Sequence, residues 1–182
     1  MYTYQDFLKN NGADVGEFIL KVVQEYKMLP QCKEAEIAEE YDRRRNVTIM
    51  KFQKYLYTMA GERIPDMISP NHKLCNNFFH KLITQLVQYL LGNGVTFPKE
   101  GIKEKLGETF DTMLQKAGKY AQIGGVSYGF WDYDQLRVFK VTEFAPLKDE
   151  ENGSLRAGVR YCQLAPDKPL RMTLYEEDGY TE

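Results

Sequence analysis

Histidine, cysteine and tryptophan are scarce in this chain, at two, three and one in 182 residues. Cys32, Cys75 and Cys162 are far apart, odd in number and form no C-x-x-C pair, which argues against a zinc site. This usage fits a protein made and kept in a reducing cytoplasm. His72 and His80 have no acid or cysteine at ligand spacing, so both read as solvated helix-face residues. No G-K-[ST] phosphate loop, G-x-S-x-G elbow or H-E-x-x-H pair occurs. Met1–Asp6 has neither the basic start nor the apolar stretch of a signal peptide. Excess charge is lacking too: 24 basic against 26 acidic residues give a net −2, which supplies no bulk attraction to DNA or anionic lipid.

What is present suits one domain, or one with a small appendage. Hydrophobic residues make up 43% and charged residues 27%, enough for a core under an ordinary surface. Thr3 and Asp6 open a short helix. Asp14 and Glu17 resemble a capping box, and Val15, Phe18, Ile19, Val22, Val23 and Tyr26 then keep helical spacing until Pro30 closes the segment. From Gln31 to Arg45 only Ala35, Ala38 and Tyr41 form an apolar line, so that helix is exposed on most sides. Residues 47–65 read as a hairpin turning at Ala60-Gly61-Glu62, with a continuing helix as the alternative.

The longest amphipathic pattern runs from a capping Asn71 to Gly92. Leu74, Cys75, Phe78, Phe79, Leu82, Ile83, Leu86, Val87, Leu90 and Leu91 share one broad buried face. Such a helix spans roughly 28 Å, and its polar residues exclude a membrane span. Ile102, Leu106, Phe110, Met113, Leu114 and Ala117 form a further face that Gly107 splits. From Gly125 the period becomes two. Leu155, Ala157, Val159 and Tyr161, then Leu170, Met172 and Leu174, mark strands with one buried face, where Cys162 fits as a small sheet residue. Turns fall at Asp132-Tyr133-Asp134, Asn152-Gly153, Pro166-Asp167 and Asp178-Gly179. The fold class is α+β: N-terminal helices, one of them long and central, packed on a C-terminal antiparallel sheet.

Each candidate for chemistry has a plainer reading. Arg43, Arg44 and Arg45 can grip a phosphate backbone or a partner, but Glu39 and Glu40 stand four residues before Arg43 and Arg44 and can pair with them. Asp132, Asp134 and Glu143 can gather a cation, but Asp-Tyr-Asp is ordinary hairpin chemistry. Gly124-Gly125-Val126-Ser127-Tyr128-Gly129 reads as a helix exit entering a strand, and Ser127 has no histidine partner in sequence. No catalytic, metal or cofactor residue is assigned.

One ordered series goes further. Tyr41, Asn46 and Ile49 are followed by Asn71, Lys73, Leu74, Phe78, Phe79, Lys81, Leu82, Gln85, Tyr89, Leu90, Leu91 and Gly92. Then come F-D-x-M-L-Q-K-A-x-K-Y-A-x-I-G-G-V-S-Y-G, L-R-A-G-V-R-Y and M-T-L-Y-E-E-D-G. From about Ala35 onward this series resembles the N-terminal, wing-type part of bacteriophage portal proteins of the siphophage type. It departs at Asp42-Arg43-Arg44-Arg45, where that family more often has an aromatic and a glycine. The resemblance implies a non-enzymatic subunit of the head-tail connector, in a ring of about twelve copies at one capsid vertex of the virion, made in the bacterial host cytoplasm; a fragment on its own can be monomeric. Its partners would be terminase, head-tail adaptor, and scaffold or capsid proteins, with DNA passing through the ring without sequence preference. It implies no cofactor. Residues 1–30 are expected as a helical arm and 31–182 as a wing-type domain that stops one turn into a hairpin, as a fragment would. The alternative is a small non-enzymatic nucleic-acid-binding or adaptor module with the arginine triplet as its contact.

Overall fold

The computed structural model describes residues 2–10, 15–99, 101–165 and 167–181. Asp14 of the expected capping box and Pro166 of the expected Pro166-Asp167 turn lie outside them. Helix α1 (Tyr4–Lys9) starts at a true capping box: the Thr3 hydroxyl accepts from the Asp6 amide at 3.3 Å, and the Asp6 carboxylate accepts from the Thr3 amide at 3.1 Å. Helix α2 (Val15–Met28) buries Phe18, Ile19, Val22, Val23 and Tyr26, the periodic set. It ends at Met28, just ahead of Pro30, as expected. Leu29 is held extended, as the residue before a proline prefers, and Pro30 opens α3 (Pro30–Asp42), where its missing amide would have had no partner anyway.

Helix α3 buries only Cys32 and Ala35. It ends in a Schellman arrangement, with the Arg44 amide on the Tyr41 carbonyl at 3.1 Å and the Arg45 amide on the Glu40 carbonyl at 2.7 Å. Arg44 takes the left-handed conformation, φ 64°, that this motif usually assigns to glycine. Residues 47–65 divide between both readings of the sequence. Helix α4 (Val47–Lys51) comes first, and an antiparallel hairpin, β1 (Tyr55–Tyr57) with β2 (Arg63–Pro65), follows.

Asn71 does not cap the central helix. Helix α5 (Phe78–Leu91) begins after Asn77 and is roughly 21 Å long rather than 28 Å. The reason lies in where the polar side chains go. Asn71 Nδ2 donates to the Phe52 carbonyl at 3.3 Å and Lys73 Nζ to the Met50 carbonyl at 2.6 Å. Both carbonyls sit at the end of α4, where the helix leaves its acceptors unpaired. Leu74 and Cys75 therefore lie in an irregular strap, and Cys75 is not a core residue.

Gly107 (φ 81°) divides the next pattern into α6 (Ile102–Leu106) and α7 (Phe110–Gly124). Helix α7 packs on α3 and α5 and on the hairpin β3 (Ser127–Asp132) and β4 (Gln135–Lys140). Strands β5 (Phe144–Lys148), β6 (Leu155–Cys162), β7 (Arg171–Glu176) and β8 (Gly179–Thr181) form an antiparallel sheet in that order. The class is α+β.

This sheet is covered on both faces, not on one. Ala145, Leu147, Ala157, Val159, Tyr161 and Leu174 meet Phe7, Phe18, Ile19, Val22, Val23, Tyr26 and Cys32. On the other face Phe144 and Tyr175 meet Phe139 of the β3–β4 hairpin, with Tyr128 and Phe130 beside them. Consecutive residues of β5 and β7 are therefore buried, Phe144–Leu147 and Thr173–Tyr175. Residues 1–30, expected as an arm, supply one wall of the larger cluster and share its core with the rest of the chain.

Candidate functional site

The arginine triplet sits where α3 ends. Arg43 donates to Glu39 Oε2 at 3.3 Å and Glu40 Oε1 at 3.4 Å, and Arg45 lies 3.6 Å from Glu40 Oε2. Arg44 does not pair with Glu40 as the spacing suggested, because its left-handed backbone turns it off the helix. Two of the three guanidinium groups are thus neutralised by their own helix.

Behind them lies a cleft of about 230 Å³ between α3, α7 and the end of β4. Glu39 is held by Lys140 Nζ at 3.2 Å and by the Thr142 hydroxyl. Burial opposes the charge on Lys140, but Glu39 and Glu143 outweigh it and raise its pKa. Asp42 accepts from His80 Nδ1 at 2.8 Å and lies 3.1 Å from Lys119 Nζ. His80 is therefore a cross-link between α5 and α3, not a solvated histidine, while His72 is exposed. Glu39 and Asp42 here face Arg43, Lys119 and Lys140, with His80 bonded to Asp42, and the network fastens α3 to α5, α7 and the end of β4.

Burial alone would raise the Asp42 pKa, but His80 and Lys119 hold it below its ordinary 3.8. A carboxylate depressed on folding stabilises the fold above its unfolded-state pKa and loses that contribution as pH falls through the folded value. Asp42→Asn is expected to cost about 1 to 2 kcal/mol at neutral pH. Denaturant titrations should show the gap to the parent protein closing below pH 4; an equal gap at pH 7 and pH 3 would refute the assignment.

The acidic candidates do not converge. Asp132 is buried and bound by Arg137, Asp134 is exposed in the turn, and Glu143 stands 3.6 Å from Lys140. Among the described residues no three His, Cys, Asp or Glu side chains gather to hold a metal. Ser127 pairs with Lys140 in the β3–β4 register. Cys32 is fully buried, its sulfur 3.9 Å from the Tyr161 hydroxyl, and burial pushes its thiol pKa up, so it is a packing residue.

Apolar surface is the feature left over. Helix α5 buries only Ile83 and Val87. Phe78, Leu82, Leu86 and Leu90, one every four residues, form a ridge that is 65, 64, 42 and 61% exposed, and Tyr89 beside it is 87% exposed. Phe78 and Tyr89 alone offer roughly 300 Å² of uncovered surface. The second such region is the β1–β2 hairpin with its strap: all six strand residues are exposed, as are Met59, Met67 and Ile68. No protein-family model and no curated protein matches this chain.

Periodicity assigns α5 one broad buried face and does not by itself mark the ridge. The signal was nevertheless there. The apolar residues of α5 sweep roughly 220° around the helix, more than the ≳100° stripe that faces a core needs. No helix among the described residues is long and apolar enough to cross a membrane.

Proposed function

We propose that this chain is a structural subunit of a bacteriophage portal, the head-tail connector ring through which DNA is packaged and ejected. The observation that carries the reading is the α5 ridge. Three of its four residues, Phe78, Leu82 and Leu90, belong to the series on which the resemblance rests, and it leaves apolar surface for neighbouring copies to cover. A subunit whose surfaces differ from side to side closes a ring by head-to-tail contacts. In this reading the subunit works at the portal vertex of the virion after synthesis in the host cytoplasm. Terminase, adaptor and scaffold or capsid proteins are its partners, and it carries out no chemistry of its own.

Electron microscopy of the purified protein tests it: annular particles with a central opening are expected. DNA affinity measured against salt separates it from the adaptor module. With Arg43 and Arg45 held in ion pairs, the log-log slope is expected to be shallow. A slope of several released counterions, abolished by replacing Arg43, Arg44 and Arg45 with alanine, would favour the module instead.

A further inference from the structure

We propose that the cleft between α5 and α7 binds a phosphate group. The site stands on its own geometry; DNA as the source of the phosphate rests on the ring reading.

The cleft encloses about 270 Å³, room for a tetrahedral oxyanion with several waters at ~30 Å³ each. Thr84, Val87 and Gln88 line it from α5, and Thr112, Gln115, Lys116 and Lys119 line it from α7. Of those side chains two are cationic, four are polar, only Val87 is apolar and none is acidic. The cleft behind the arginine triplet is different, because Glu39 and Asp42 line it and would repel an anion.

The bias runs along both helices. Helix α5 contains no Asp or Glu, and α7 contains only Asp111. Asp111 is engaged elsewhere, 2.7 Å from Lys103 Nζ and accepting from the Val95 amide at 3.2 Å. Lys81 precedes Thr84 by three residues and Gln88 by seven, so helical spacing puts it on the same side of α5. Both Lys81 and Lys116 are exposed, and the Lys116 ammonium lies over the Tyr120 ring at 5.6 Å. Lys119 lies 3.1 Å from Asp42, a carboxylate it shares with His80. Lys81, Lys116 and Lys119 thus stand against Asp42, a net +2 with His80 neutral.

The donor set matches a phosphate. Its oxygens accept from lysine ammonium groups, threonine hydroxyls and glutamine amides alike. Lys116 supplies the charge, and Thr84, Gln88 and Thr112 supply neutral donors from both walls. The walls are also held at a fixed spacing. Gln115 Nε2 donates to the Leu91 carbonyl at 3.0 Å, and a Cβ at Gly118 would stand only 3.0 Å from Leu91 Cδ1. Side chains on two helices fastened this closely are better placed than side chains on loops. Along DNA such a site grips a unit that every nucleotide shares, so it carries no sequence preference. Neutralisation by Lys81 and Lys116 would release roughly two counterions per subunit, which keeps the contact weak and mobile.

Equilibrium dialysis of the whole chain against labelled inorganic phosphate tests the site. Saturation at a single phosphate per chain is expected. Lys116→Glu should weaken binding at least about tenfold. Thr84→Val with Thr112→Val leaves the charge alone and should weaken it about fivefold. Lys33→Glu makes an equal charge change at an exposed position on α3 and should leave binding as it was. Each variant alters exposed or half-buried side chains and should melt close to the parent. A parent protein that binds no phosphate overturns the proposal. So do folded Lys116→Glu protein that binds as the parent does, and a Lys33→Glu loss as large as that of Lys116→Glu, which would mean a diffuse field and no site. Short duplex DNA added as competitor separates the sources. Displacement of the phosphate identifies the DNA backbone as the ligand. Phosphate retained in excess DNA makes the cleft a site for free phosphate, and particles still annular by microscopy would then leave the ring reading standing.

Discussion

Removing residues 1–29 is expected to abolish cooperative folding. Six of the thirteen buried side chains in the larger cluster come from that segment: Phe7, Phe18, Ile19, Val22, Val23 and Tyr26. Truncating one large core residue costs about 2–5 kcal/mol, and a whole domain is stable by only about 5–15 kcal/mol. Deletion also opens one face of the sheet, exposing Leu147 and Val159, both at 0% in the intact chain. A single change makes the same point: Val23→Asp places a carboxylate among the apolar side chains of the larger cluster, in a site 1% exposed. Thermal melting followed by near-ultraviolet circular dichroism reads both proteins. Loss of the sigmoidal transition is the expected result. A truncated chain that melts near the parent's temperature would restore the arm reading and separate residues 1–30 from the core.

That segment shows where sequence reasoning succeeds and where it stops. The periodicity of α2 gave its buried face residue by residue, because an amphipathic stripe is a local property of one helix. The split at Gly107 was legible for a similar reason, since a left-handed backbone there needs glycine. What α2 packs against was not legible. Its partners, Ala145 to Leu174, lie more than a hundred residues away, and nothing in a periodic stripe names its opposite face. The sheet misled in the same way. Alternation in β6 was clear, but β7 reads as alternating only if Thr173 and Tyr175 are wet, and the β3–β4 hairpin folds back to bury them.

The charged cleft was half visible. Pairing of Arg43 with Glu39 follows from four-residue spacing on one helix. The bond from His80 to Asp42 joins residues thirty-eight apart in the chain, and it depends on how α5 crosses α3. Asn71 failed as a helix start because a side chain with several possible acceptors goes to the unpaired carbonyls that tertiary structure places nearest, here at the end of α4. Exposure itself was the least legible property. A helix with a wide apolar sector announces that it wants covering, but whether its own chain does so is decided by folding as a whole.

Gly158→Ala is expected to destabilise the protein by about 3 kcal/mol, the upper end for overpacking one methyl group. A Cβ at Gly158 would stand 2.1 Å from Phe144 Cζ and 2.3 Å from Cε1. The ring cannot simply swing away. It stacks on Phe139 at 5.5 Å with an interplanar angle of 2°, and Tyr128 lies 4.7 Å off. Phe144 lies diagonally across the β5–β6 pair from Gly158, and its ring fills the space above the bare backbone. Glycine is thus required here for room and not for backbone freedom. Phe144→Ala should cost about 3–5 kcal/mol by leaving a cavity, yet the double variant should cost clearly less than the two together, because each change relieves the other. Urea titration of the four proteins gives the coupling; additive costs would show that the two sites do not touch in solution.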